Sequence, residues 1–156
     1  MKPLIIIGGM LLVFGANHAA RAQTCSGTRL TVTQISQLVS GRYACYGPGA
    51  WPAVEWNELH SGTIGSTTNT SGTVTDYKKG PTDPIDPTKP VGTFTIGQVS
   101  KNGAITYIYP SGSYGYYVYD NNLTAPNPGV YSFCTTGGGI NIPVTVGSNT
   151  AHGGCP

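Results

Sequence analysis

From residue 91 onward the chain alternates apolar and polar positions in short runs separated by Gly, Asn, Ser and Pro. A period of two is the mark of strands with one face on a core. Residues 91–96, 104–109, 114–119, 130–134 and 140–146 read this way, with turns predicted at Lys101-Asn102-Gly103, at 110–113 and at the three glycines 137–139. Asn-Gly between alternating runs is a favoured hairpin signal. Upstream, 42–46, 52–60 and 72–78 are further strand candidates, and the Ser/Thr/Gly/Asn-rich stretch 61–72 reads as a flexible loop or a weak strand pair. Four prolines within 80–90 predict an extended loop, because proline lacks the N–H that a ladder requires. One segment follows a different period. Ile35, Leu38 and Val39 have the spacing of one helix face, with Thr33 as a candidate N-cap and Gly41 as a candidate left-handed stop. Residues 23–31 form a polar lead-in. The pattern predicts a mainly β protein: a single small antiparallel meander of seven or eight strands, closed as a barrel or stacked as a sandwich, with one short N-terminal helix.

The N-terminus carries a second kind of signal. Lys2 precedes an apolar run from Leu4 to Phe14, and Ala20-Arg21-Ala22 places small residues at positions −3 and −1 of a cleavage point. This is the pattern of a secretory signal peptide. The expected organisation is a cleavable segment 1–22 followed by one β domain, 23–156, exported to the periplasm or the extracellular space. An 11-residue run is too short to span about 30 Å of hydrocarbon, so no membrane span is expected in the mature chain.

All four cysteines, Cys25, Cys45, Cys134 and Cys155, follow the cleavage point and predict two disulfides. Three connectivities are possible. Loop-closure entropy favours Cys25–Cys45 with Cys134–Cys155, and the nested pairing Cys25–Cys155 with Cys45–Cys134 stays open.

Charge narrows the function. Of 156 residues only 9% are charged, with 8 Lys+Arg against 6 Asp+Glu, and removal of Lys2 and Arg21 makes the balance even. That excludes the basic footprint of a nucleic-acid-binding protein. The short helix, the strand leading to Cys45, the Gly92-Thr93-Phe94 strand and the hairpin after it resemble small exported bacterial β-barrel proteins of the lipocalin-like kind. The resemblance implies a barrel. Phe94 stands where lipocalins normally carry Trp, and no binding residue is carried over.

Two clusters could carry chemistry. On a strand, Val54, Trp56, Glu58 and His60 share one face, with Glu58 and His60 about 7 Å apart along the backbone. A carboxylate beside an imidazole can orient its tautomer, as general-base catalysis requires. A structural hydrogen bond or a solvated pair uses the same residues. A metal site would need a third ligand such as Asp76 or His152, and without HExxH or closely spaced histidines no metal and no cofactor are expected. The second cluster is six tyrosines within 13 residues. Tyr107 and Tyr109 share a face, Tyr114 and Tyr116 share one, and Tyr117 and Tyr119 share the opposite one. Rings with polar tips suit a cleft for an amphipathic ligand or glycan, a protein contact, or plain cross-strand pairing.

The expected function is a disulfide-stabilised, non-enzymatic binding module for a small amphipathic ligand, a glycan or a protein partner. Its candidate binding residues are Trp56, Glu58, His60, Tyr107, Tyr109, Tyr117 and Tyr119. The alternatives are a subunit of an extracellular fibre or surface layer, and a small hydrolase using Glu58 and His60.

Overall fold

A computed structural model describes residues 25, 27–46, 56–63, 69–78, 89–120 and 130–147. The expected signal segment, residues 80–88 of the proline loop and Cys155 lie outside these residues, and Lys89 and Pro90, expected in that loop, are strand.

The described residues hold nine strands, and the 3.6-period segment forms the helix α1, Val32–Val39. Strand β1 is the short Thr28–Arg29; β2 is Tyr43–Tyr46, β3 Trp56–Thr63, β4 Asn69–Lys78 and β5 Lys89–Val99. They are followed by β6 (Asn102–Tyr109), β7 (Gly112–Asp120), β8 (Val130–Thr135) and β9 (Asn141–Gly147). From β2 to β9 each strand pairs antiparallel with the next, and β9 pairs back onto β2. The result is a closed, up-and-down, eight-stranded barrel, a size whose interior is filled by side chains or holds one small ligand. Within 61–72, residues 61–63 and 69–72 are strand, and Ser61 and Gly62 pair with Thr73 and Gly72.

Closure leaves a splayed gap between β6 and β7, and the N-terminal lead-in fills it. Thr28 and Arg29 pair with Asp120 and Tyr119 on β7. Leu30 then donates its N–H to the Val118 carbonyl, and its own carbonyl accepts from Gly103 N–H. The expected polar lead-in is therefore a structural strand with a buried leucine. On the outer surface the Arg29 guanidinium lies 3.3 Å over the Tyr117 ring.

Helix α1 plugs one end of the barrel. Its N-cap is Thr31, not Thr33: the Thr31 hydroxyl accepts from Gln34 N–H while the Gln34 side chain accepts from Thr31 N–H. This reciprocal pair satisfies two donors that the first turn leaves unbonded. Gly41, with φ of +67°, lies just past the end of the helix in the left-handed conformation its position predicts. Ile35 and Val39 are fully buried in the same core cluster as Leu30, Ile96, Ile105 and Val118, and the Ser36 hydroxyl donates to Thr70 Oγ1 at 2.9 Å.

Two expectations change. The β5–β6 turn is not Lys101-Asn102-Gly103: Val99 pairs with Asn102, so the loop is Ser100-Lys101, and Ser100 adopts φ of +60°. Gly103 serves packing instead, since a Cβ there would lie 2.7 Å from the Val32 nitrogen and 2.8 Å from Ile35 Cδ1. The disulfides also differ. Cys25 is bonded to Cys134 on β8 across 109 residues, which rules out Cys25–Cys45, Cys134–Cys155 and the nested alternative together. Cys45 is also disulfide-bonded. The favoured short loops had only a small advantage: enlarging a loop from about 20 to about 110 residues adds about 1.5 kcal/mol. Pairing of β1 with β7, the neighbour of β8, outweighs it by bringing Cys25 to Cys134.

Peptide mapping without reductant is expected to yield Cys25 crosslinked to Cys134, and a Cys25–Cys45 peptide would contradict the fold. Gly103→Ala should destabilise the barrel by about 1–3 kcal/mol in urea denaturation, through overpacking against α1.

Candidate functional site

The inward face of each strand is set by its buried residues, and these sort into a filled floor and an open mouth. Nearest α1 lie Ile96, Ile105 and Val118. Above them sit Val74, Phe94 and, at 0% exposure, His60. At the end away from α1 the side chains no longer meet, and a cavity of about 390 Å³ opens.

Its wall is built from four regions. Trp56 and Glu58 come from β3; Tyr107 and Tyr109 come from β6, with Pro110 and Ser111 from the turn after it. Tyr114 and Tyr116 come from β7, and Phe133, Ile142 and Val144 from β8 and β9. Trp56 is steadied by Tyr46, whose ring stacks on it with centroids 5.6 Å apart. Tyr107 and Tyr109 lie nearly parallel, with 8° between their planes and centroids 6.1 Å apart. Tyr116 meets Tyr107 at 66° and Tyr114 meets Tyr109 at 53°. The aromatic surface therefore faces the cavity from several directions.

The polar groups are held within this aromatic wall. Tyr109 Oη donates to Glu58 Oε2 at 2.7 Å. Burial, the Glu58 charge and this hydrogen bond together push the Tyr109 hydroxyl far above the usual phenol range, so it stays a donor. Burial, reinforced by the Glu58 charge, raises Tyr107 as well; Tyr116 is raised by burial, then by Tyr114 and Glu58. Directly across from Glu58 on β4 lies a second buried carboxyl group, Asp76.

His60 belongs to the floor and not to the cavity lining. Its Nε2 is hydrogen-bonded to Tyr107 Oη at 2.8 Å, and its ring packs edge-on against Phe94. Burial lowers its pKa to about 4, against a smaller opposing effect from backbone groups of Arg42 and Glu58. The imidazole is neutral at physiological pH.

Of the sequence candidates, Trp56, Glu58, Tyr107 and Tyr109 converge on the cavity, and His60 lies beneath it, linked to it through Tyr107. Tyr117 and Tyr119 are on the outer face, where Tyr117 carries Arg29. Tyr114 and Tyr116 take their place. The signal for them was the alternation that puts them on the face of Val118, a residue with the apolar character of a core position. Phe133, Ile142 and Val144 had no sequence signal beyond strand periodicity, because β8 and β9 reach the site only through closure. Among the described residues no three His, Cys, Asp or Glu side chains group as metal ligands, and no helix is long and apolar enough to cross a membrane. His152 lies outside the described residues. No known protein family, curated protein or solved structure matches the chain.

The buried imidazole gives stability a defined pH dependence. Unfolded His60 titrates near 6.5 and folded His60 near 4, so the unfolded chain binds the extra proton between these values. Its contribution is complete above pH 6.5 and is lost as pH falls toward 4, on the order of 2–3 kcal/mol. Urea unfolding at pH 7.5 and 4.5 should show wild type losing that much more stability than His60→Gln.

Proposed function

We propose that the chain is an exported, disulfide-stabilised binding module that holds a small amphipathic ligand in the mouth of its barrel, in the manner of lipocalin-like proteins. The observation that carries this reading is the cavity of about 390 Å³, walled by tyrosine, tryptophan and aliphatic side chains and open at the end opposite α1. Small-molecule sites are concave, mostly apolar and about 300–1,000 Å³, with a few placed polar groups fixing orientation. Here those groups are Glu58 and the tyrosine hydroxyls.

The floor supports the reading. Fully buried His60, Phe94 and Val74 close the barrel beneath the cavity, so a ligand enters a cup and not a channel. The apolar run 4–14 followed by Ala20-Arg21-Ala22 supports export, and the Cys25–Cys134 bond suits an oxidising compartment, periplasmic or extracellular.

The test uses a neutral fluorescent probe, N-phenyl-1-naphthylamine, titrated into the oxidised protein. Saturable enhancement is expected, and Ile142→Trp, which adds volume at the cavity wall, should weaken it at least tenfold with the thermal midpoint little changed. Equal binding by wild type and variant would place the probe elsewhere and remove the proposal.

A further inference from the structure

We infer that the ligand carries a positive charge: the cavity is an aromatic cage for an organic ammonium group with an apolar tail. This deepens the binding reading above and rests on it.

Three observations converge. First, among the described residues the cavity lining contains one carboxylate, Glu58, and no lysine, arginine or histidine. An anionic ligand would meet like charge in a poorly solvated site, where interactions between charges are strengthened. Second, the aromatic surface around Glu58 is arranged to face a cation. Aromatic faces carry the negative part of the ring quadrupole and attract ammonium groups within about 6 Å, more strongly when water is excluded. Tyr107 and Tyr109 are nearly parallel, and Tyr114 and Tyr116 lean across them at 53° and 66°, so faces and edges surround the space from different sides. Third, Glu58 acts on the tyrosine hydroxyls around it and faces a second buried acidic residue. Asp76 stands opposite Glu58 in the β3–β4 register with 2% of its surface exposed, and the Glu58 charge reaches the hydroxyls of Tyr107, Tyr109 and Tyr116.

The rest of the wall defines the tail. Phe133, Ile142 and Val144 offer no hydrogen bond and form an apolar side to the cavity. A neutral glycan would need planar polar partners along its ring, and this side provides none. An amine on a short hydrocarbon chain satisfies both halves: ammonium toward Glu58 and the tyrosines, chain toward Ile142 and Val144.

The test is competition against bound N-phenyl-1-naphthylamine by four ligands sharing one tail: hexyltrimethylammonium, hexylammonium, hexan-1-ol and hexanoate. Both cations are expected to displace the probe at concentrations at least tenfold lower than the alcohol, and hexanoate should be the weakest. Glu58→Gln should cut the preference for cation over alcohol to threefold or less. Tyr114→Leu, at a half-exposed rim position where folding is not at stake, should reduce the advantage of hexyltrimethylammonium in the same direction. If the alcohol or hexanoate competes as well as the cations, or if nothing displaces a bound probe, the cation assignment is overturned and the binding cup survives. A protein that does not bind the probe at all overturns both.

Discussion

Pairing of β9 with β2 is the constraint on which the rest of the molecule depends. Once eight strands close, the ring has a fixed width, and every second side chain is committed to a space of set size. At the α1 end, aliphatic residues and Phe94 fill that space. At the other end the inward positions of β3, β6 and β7 are Trp56, Glu58 and tyrosines, whose rings and polar tips line the interior without filling it. The cavity follows from a change of side-chain type along strands of constant geometry.

Closure also explains the N-terminal segment. A barrel of twisted strands does not pair evenly along its whole length, and β6 and β7 separate where Leu30 enters. The lead-in therefore has three linked tasks: β1 pairs with β7, Cys25 is tied to β8, and Thr31 starts the helix that seals the floor. Gly103 is small because the helix start lies against it. The floor in turn isolates His60, whose neutral imidazole supports Tyr107 from below. A residue pair that reads in one dimension as an acid–base dyad is divided in three dimensions between a cavity-lining carboxylate and a buried histidine.

Much of this was legible in the chain. Alternation located most of the strands, the spacing of Ile35, Leu38 and Val39 located the helix, and the shared face of Trp56, Glu58 and His60 was correct. Periodicity also separated Tyr107 and Tyr109 from their neighbours. On β7 the tyrosines Tyr114, Tyr116, Tyr117 and Tyr119 are chemically alike, so the sequence sign of the inner face rested on Val118 alone. Register against Ile105 settled it: Tyr116 lies opposite that fully buried residue and faces inward with it.

The sequence by itself determined the local periods, the helix and the inventory of aromatic and acidic groups, because these depend on side-chain order and backbone sterics over a few residues. The tertiary structure alone decided which cysteines meet, which strands complete the cavity wall and which of Glu58 and His60 lines the cavity. Those outcomes depend on contacts between segments as distant as Cys25 and Cys134, and such distances are set by closure of the ring and not by any spacing along the chain.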